Sequence, residues 1–74
     1  MTQRQQDNQD TIRQFCKKQG ACAGANASSE MWGRLTSQLT GITFTLGALG
    51  LDALADECRQ LFQDAADKAD KEAA

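Results

Sequence analysis

Leu35, Leu39, Ile42, Leu46 and Leu49 recur at alternating steps of four and three, a spacing that winds one apolar stripe along a helix and has the period of a coiled-coil seam. Met31 or Trp32 extends the stripe backwards. Between Arg34 and Asp52 no residue carries a charge, although a helix with one face in water normally places charges on that face. The segment therefore reads as a helix that needs cover beyond its stripe. A membrane span would also explain the missing charges, but the segment falls short of the roughly 20 apolar residues required and is interrupted by Thr, Ser, Gln and Gly. A rival reading makes Thr40 to Leu46 a strand, because Ile42, Phe44 and Leu46 alternate with Thr43 and Thr45. The helix is preferred, since the four-three pattern begins before this stretch and continues past it. A lone strand would find its partner only in a second copy.

Signals at both ends delimit this helix. Ser28 or Ser29 is placed to accept a hydrogen bond from a free backbone amide, and Glu30 lies in the first turn where the helix dipole favours an anion. Beyond Leu49 the stripe loses phase, because its next positions hold Ala53 and Asp56, while a new series runs through Leu51, Leu54, Cys58, Leu61 and Ala65. Gly47 to Gly50 supplies the break, with Gly50 able to end one helix or open the next. The third helix, Leu51 to Glu72, carries its apolar residues on one face and has Asp64 with Lys68 and Asp67 with Lys71 as supporting pairs.

The first part of the chain is less regular. Residues 1–10 are polar and rich in glutamine, a tail or a solvated extension of the first helix. Ile12, Phe15 and Cys16 share a helical face, Lys17 and Lys18 suit a last turn, and Gly20 is a candidate left-handed cap. Ala21 to Ser29 reads as a connector whose alanines can lengthen that helix by a turn. Within it, Asn26-Ala27-Ser28 matches a glycosylation acceptor, read as incidental without a secretion signal. The expected fold is all-α, a small bundle of two to three helices in a single domain over 11–74, completed by homo-oligomerisation.

Self-association is expected because 74 residues sit near the size at which one core yields only a few kcal/mol, and the other usual supports are poorly supplied. Cys16, Cys22 and Cys58 are an odd set without paired spacing, and no basic-then-apolar leader precedes them, so a reducing, cytoplasmic setting is expected. With no histidine and no CxxC pair, neither a metal nor a cofactor is expected. The net charge of −2 disfavours nucleic acid, whose phosphates need clustered Lys and Arg. Catalysis lacks the usual means: there is no histidine or tyrosine, no glycine-rich phosphate loop and no nucleophile elbow. Cys16 and Cys58 fall on apolar faces that disfavour a thiolate. The chain is read as no enzyme.

Function is therefore sought on the uncharged helix. Opposite its leucines lie Gly33, Ser37 and Gly41, four residues apart, followed by Thr45 and Ala48, a row of small residues along which another helix approaches closely. Either this row packs inside the bundle or a homodimer, or with Thr36, Thr40 and Thr43 it lines a groove that accepts a partner helix or a small ligand. Trp32 and Arg34, at the edge of the uncharged run, are the residue types that often anchor interfaces. The bland alternative makes Trp32 core and Arg34 solvated. The candidate site is thus Trp32, Arg34, Thr36, Ser37, Thr40, Gly41 and Thr43. The leading expectation is a homo-oligomeric protein-binding module, an inhibitor or adaptor, with itself and another protein as partners and neither nucleic acid nor membrane. The alternative is an oligomer that sequesters a nucleotide-like small molecule, with Trp32 stacking on a ring, Arg34 on a phosphate and the threonines donating hydrogen bonds.

Overall fold

The computed structural model describes residues 2–26 and 28–73, and the side chains of these except 26 and 73. Among the described residues three helices follow one another: α1 (Gln3–Asn26), α2 (Ser29–Ala48) and α3 (Asp52–Ala73). Ala27 and the Asn26 side chain, on which the acceptor triplet falls, lie outside the described residues.

α1 is much longer than its thin apolar pattern suggested, because local polar bonds support its first turns. Thr2 Oγ accepts from the Gln5 amide at 3.1 Å while Gln5 Oε1 accepts from the Thr2 amide at 2.8 Å, a reciprocal capping box. Gln3 then donates to Asp7 at 2.9 Å and Gln6 to Asp10 at 3.2 Å, side-chain pairs four residues apart that stabilise helix by about 0.2–0.5 kcal/mol each. The helix also runs straight through Gly20 and Gly24, read from sequence as a cap and a connector residue.

The reason lies in α3. Cys16, Gly20 and Gly24 form a row of small residues that meets Cys58, Phe62 and Ala66, so the two helices run parallel. A Cβ at Gly20 would overlap the Phe62 carbonyl oxygen, and one at Gly24 that of Ala66. Arg13 ties the same pair together through Glu57, with its Nε at 2.5 Å, while its Nη1 lies 2.7 Å from Asp10 on its own helix. These glycines serve close backbone approach, and their helix-weakening tendency is outweighed by packing along the seam.

α2 runs antiparallel across this pair. Near its start Leu35 packs with Ala23 and Phe62, near its end Leu46 packs with Cys16, Leu54, Ala55 and Cys58, and Leu39 touches both clusters. The strand alternative for residues 40–46 is overturned, since the segment is helical throughout. Ser28 caps α2 as expected, its Oγ accepting from the Met31 amide at 3.1 Å. At the other end Gly50 adopts φ +79°, its amide donates to Gly47 at 3.0 Å and the Leu51 amide donates to Leu46 at 2.8 Å. That pattern is a Schellman stop, with Leu51 tucked against the cluster that holds Leu46.

Candidate functional site: the outward face of α2

Only Leu35, Thr43 and Leu46 of α2 are fully buried, so the stripe faces inward and most of the helix remains at the surface. The row of small residues is on that surface. Gly33, Ser37, Gly41, Thr45 and Ala48 are all exposed, and a Cβ placed at Gly33 or Gly41 would find nothing within 4 Å. Of the two packings open to this row, within the bundle or against another molecule, the first does not occur.

The seven candidate residues do not converge. Trp32 turns towards α3, where its ring meets Phe62 edge to face with centroids 5.9 Å apart, and it keeps 39% of its surface exposed. Arg34 points elsewhere and lies 3.8 Å from Glu30 on its own helix. The threonine hydroxyls are directed at their own helix: Thr36 donates to the Trp32 carbonyl at 2.8 Å, Thr40 to Thr36 at 2.9 Å and Thr43 to Leu39 at 3.0 Å. Thr43 is in the core. Ser37 and Gly41 share the outward row, with Thr40 at its flank. The cleft beside Trp32, about 380 Å³, is bordered by Ser28, Asp67 and Asp70, and carboxylates there oppose a phosphate. Indole, guanidinium and hydroxyl donors are thus not arranged around one nucleotide-sized ligand.

A different set of residues comes together instead. Phe44, on the outward side of α2, is 76% exposed, and Leu49 and Phe15 are 69% and 44% exposed. Across Gly41 from Phe44, a groove of about 770 Å³ runs between α1 and α2, walled by Ile12 and Phe15 on one side and by Gly41, Ile42, Thr45 and Leu49 on the other. Sequence reasoning assigned Leu49 to the buried stripe. It emerges at the surface because α2 ends at Ala48 and Leu49 is its C-cap. Phe44 carried a legible signal, being a large aromatic residue two places from Ile42 and hence off the stripe, within a segment that has no charge.

The thiols lie outside this surface or beneath it. Cys16 and Cys58 are buried against one another in the seam, and burial first, then the neighbouring Cys58, pushes the Cys16 thiol up to about 12. Cys22 is exposed on α1. Among the described residues no group of three or more His, Cys, Asp or Glu is placed to hold a metal ion, and no helix is long and apolar enough to cross a membrane. Comparison with known protein families, curated proteins and solved structures finds no match to this chain.

Proposed function

We propose that this three-helix bundle is a non-enzymatic protein-binding module that works through the outward face of α2, as an inhibitor or adaptor does when it covers a surface of another protein. One observation carries the reading: Phe44, 76% exposed, and an apolar groove walled by Gly41, Ile42 and Thr45 share a helix that carries no charge from Leu35 to its end at Ala48. Large exposed apolar patches are uncommon on isolated chains and mark contact surfaces, and aromatic side chains dominate the energetics of such contacts. The occupant that suits this face is an uncharged or weakly charged helix, admitted closely by Ser37, Gly41 and Ala48. A reducing cytoplasmic setting suits the Cys16–Cys58 contact, which persists as two thiols there. Recovery of these two as a disulfide from native material would contradict that location.

A photoreactive phenylalanine analogue at position 44, compared with one at Gln63 on the solvated side of α3, tests the binding face. Discrete adducts are expected from position 44 and none from position 63. Illumination in the native cell that yields no protein adduct at 44 overturns the reading.

A further inference from the structure

Phe44 and the groove are two halves of one self-complementary surface. With about 100° of rotation per helical residue, Phe44 falls on one side of Gly41, and Gln38, Ile42, Thr45 and Leu49 of the groove wall fall on the other, with Gly41 itself at the groove's rim. Phe44 also lies at the height of the groove, whose α2 wall extends from Gln38 to Leu49. A two-fold axis parallel to α2 keeps that height and exchanges the two sides. It therefore carries the Phe44 of each copy to the groove of the other, whereas an axis perpendicular to the helix pair would set Phe44 on Phe44.

Charge and area point to the same occupant. Each copy carries a net charge of −2, yet α2 is uncharged beyond Arg34, so two copies meet on this face without placing like charges together. A standard interface needs about 800 Å² from each partner, and the chain exposes 5053 Å², so about one sixth of its surface would be covered. Phe44 supplies about 150 Å² of this, as an aromatic side chain exposing 76% of its area. Phe15, Leu49 and the groove floor add apolar area around it, and Gly41 lets the backbones draw near.

We propose that the chain forms a parallel two-fold dimer through α2, with the Phe44 of each copy seated in the partner's groove between α1 and α2; this rests on the reading of α2 as the protein-binding face and names a second copy of the chain as the protein that face covers. The full-length chain is examined by sedimentation equilibrium as wild type, as Phe44→Ala and as Gln63→Ala. The expected result is a dimer that Phe44→Ala weakens at least about 30-fold, in keeping with a central aromatic anchor, and that Gln63→Ala leaves unchanged. Should Phe44→Ala fail to fold, the photoreactive analogue at position 44 still decides. Its adduct should have twice the chain mass and map by digestion to the segments holding Phe15 or Leu49 of the other copy. A wild type that stays monomeric at a concentration on the order of 100 micromolar, or an adduct joining position 44 to position 44, overturns the dimer. Adducts only with a different protein also overturn it while leaving the binding face standing; no adduct at all removes both.

Discussion

Gly20 of α1 lies so close to the Phe62 carbonyl oxygen of α3 that a single methyl group between them would overlap it. Gly33 and Gly41 of α2 have open space at the same position. Glycines in two helices of one chain thus have opposite meanings, and substitution should separate them by sign. Gly20→Ala and Gly24→Ala should each lower stability by about 1–3 kcal/mol despite alanine's better helix propensity, because the helices must move apart. Gly33→Ala should raise it by up to about 1 kcal/mol through propensity alone. Urea denaturation of the three variants gives the comparison, and stabilisation by Gly20→Ala would show that α1 and α3 do not meet at this seam.

The Cys16 thiol, buried against Cys58, is pushed up from an ordinary value of 9.0 to about 12. Between those values the folded chain keeps the proton that the unfolded chain has released, so the associated stability is fully present below pH 9 and is lost as the pH rises towards 12. The urea midpoint should fall across that window. Cys16→Ala, weaker at neutral pH through lost packing, should decline less steeply over the same range. Parallel declines for wild type and variant would mean that Cys16 titrates in the folded chain as it does in the unfolded one.

The turn between α2 and α3 depends on a left-handed backbone at Gly50, φ +79°. Gly50→Ala should cost about 1–2 kcal/mol, since a Cβ disfavours that conformation. Ser28→Ala should cost about 1 kcal/mol by leaving the Met31 amide without its cap. The effects should add within about 0.5 kcal/mol in the double variant, because the two sites lie at opposite ends of α2 and share no partner. Thermal unfolding measured against the single variants checks this, and strong coupling would indicate that one change alone already detaches α2.

Much of the helical order was legible because it is written in local chemistry. The four-three stripe of α2, the Ser28 cap, the Gly50 stop and the one-sided apolar face of α3 each depend on residues close in sequence. The seam was harder to read because Cys16, Gly20 and Gly24 share the four-residue spacing of Gly33, Ser37 and Gly41. Spacing alone does not say which row faces a neighbouring helix. The difference lies in what opposes each row, and only the fold brings Phe62 and Ala66 beneath Gly20 and Gly24. The start of α1 carries a local signal of its own, in which glutamine four places before aspartate recurs at Gln3–Asp7 and Gln6–Asp10, as it does at Gln60–Asp64 and Gln63–Asp67 in α3. At the candidate site, sequence groups Trp32 with Arg34 because both stand just before the uncharged run. Two residues apart on a helix they point to different sides, and side-chain direction governs what meets.

That divergence gives the last test, which separates the face built by Phe44 from the residues that composition made attractive. Arg34→Ala and Thr40→Val should leave partner binding within about twofold, because Arg34 contacts Glu30 on its own helix and the Thr40 hydroxyl already bonds the Thr36 carbonyl. Trp32→Ala should act on stability, since the ring packs on Phe62 in the core and its removal opens a gap costing about 1–3 kcal/mol for a partly buried aromatic. Phe15→Ala and Leu49→Ala remove exposed groove walls and should weaken binding with little change in the unfolding midpoint of the chain at dilutions where it is monomeric. Titration with a nucleoside triphosphate should give no heat of binding, because Asp67 and Asp70 border the cleft beside Trp32. If Arg34→Ala and Thr40→Val abolish binding while Phe15→Ala and Leu49→Ala do not, the working surface includes Arg34 and Thr40 and the groove is incidental.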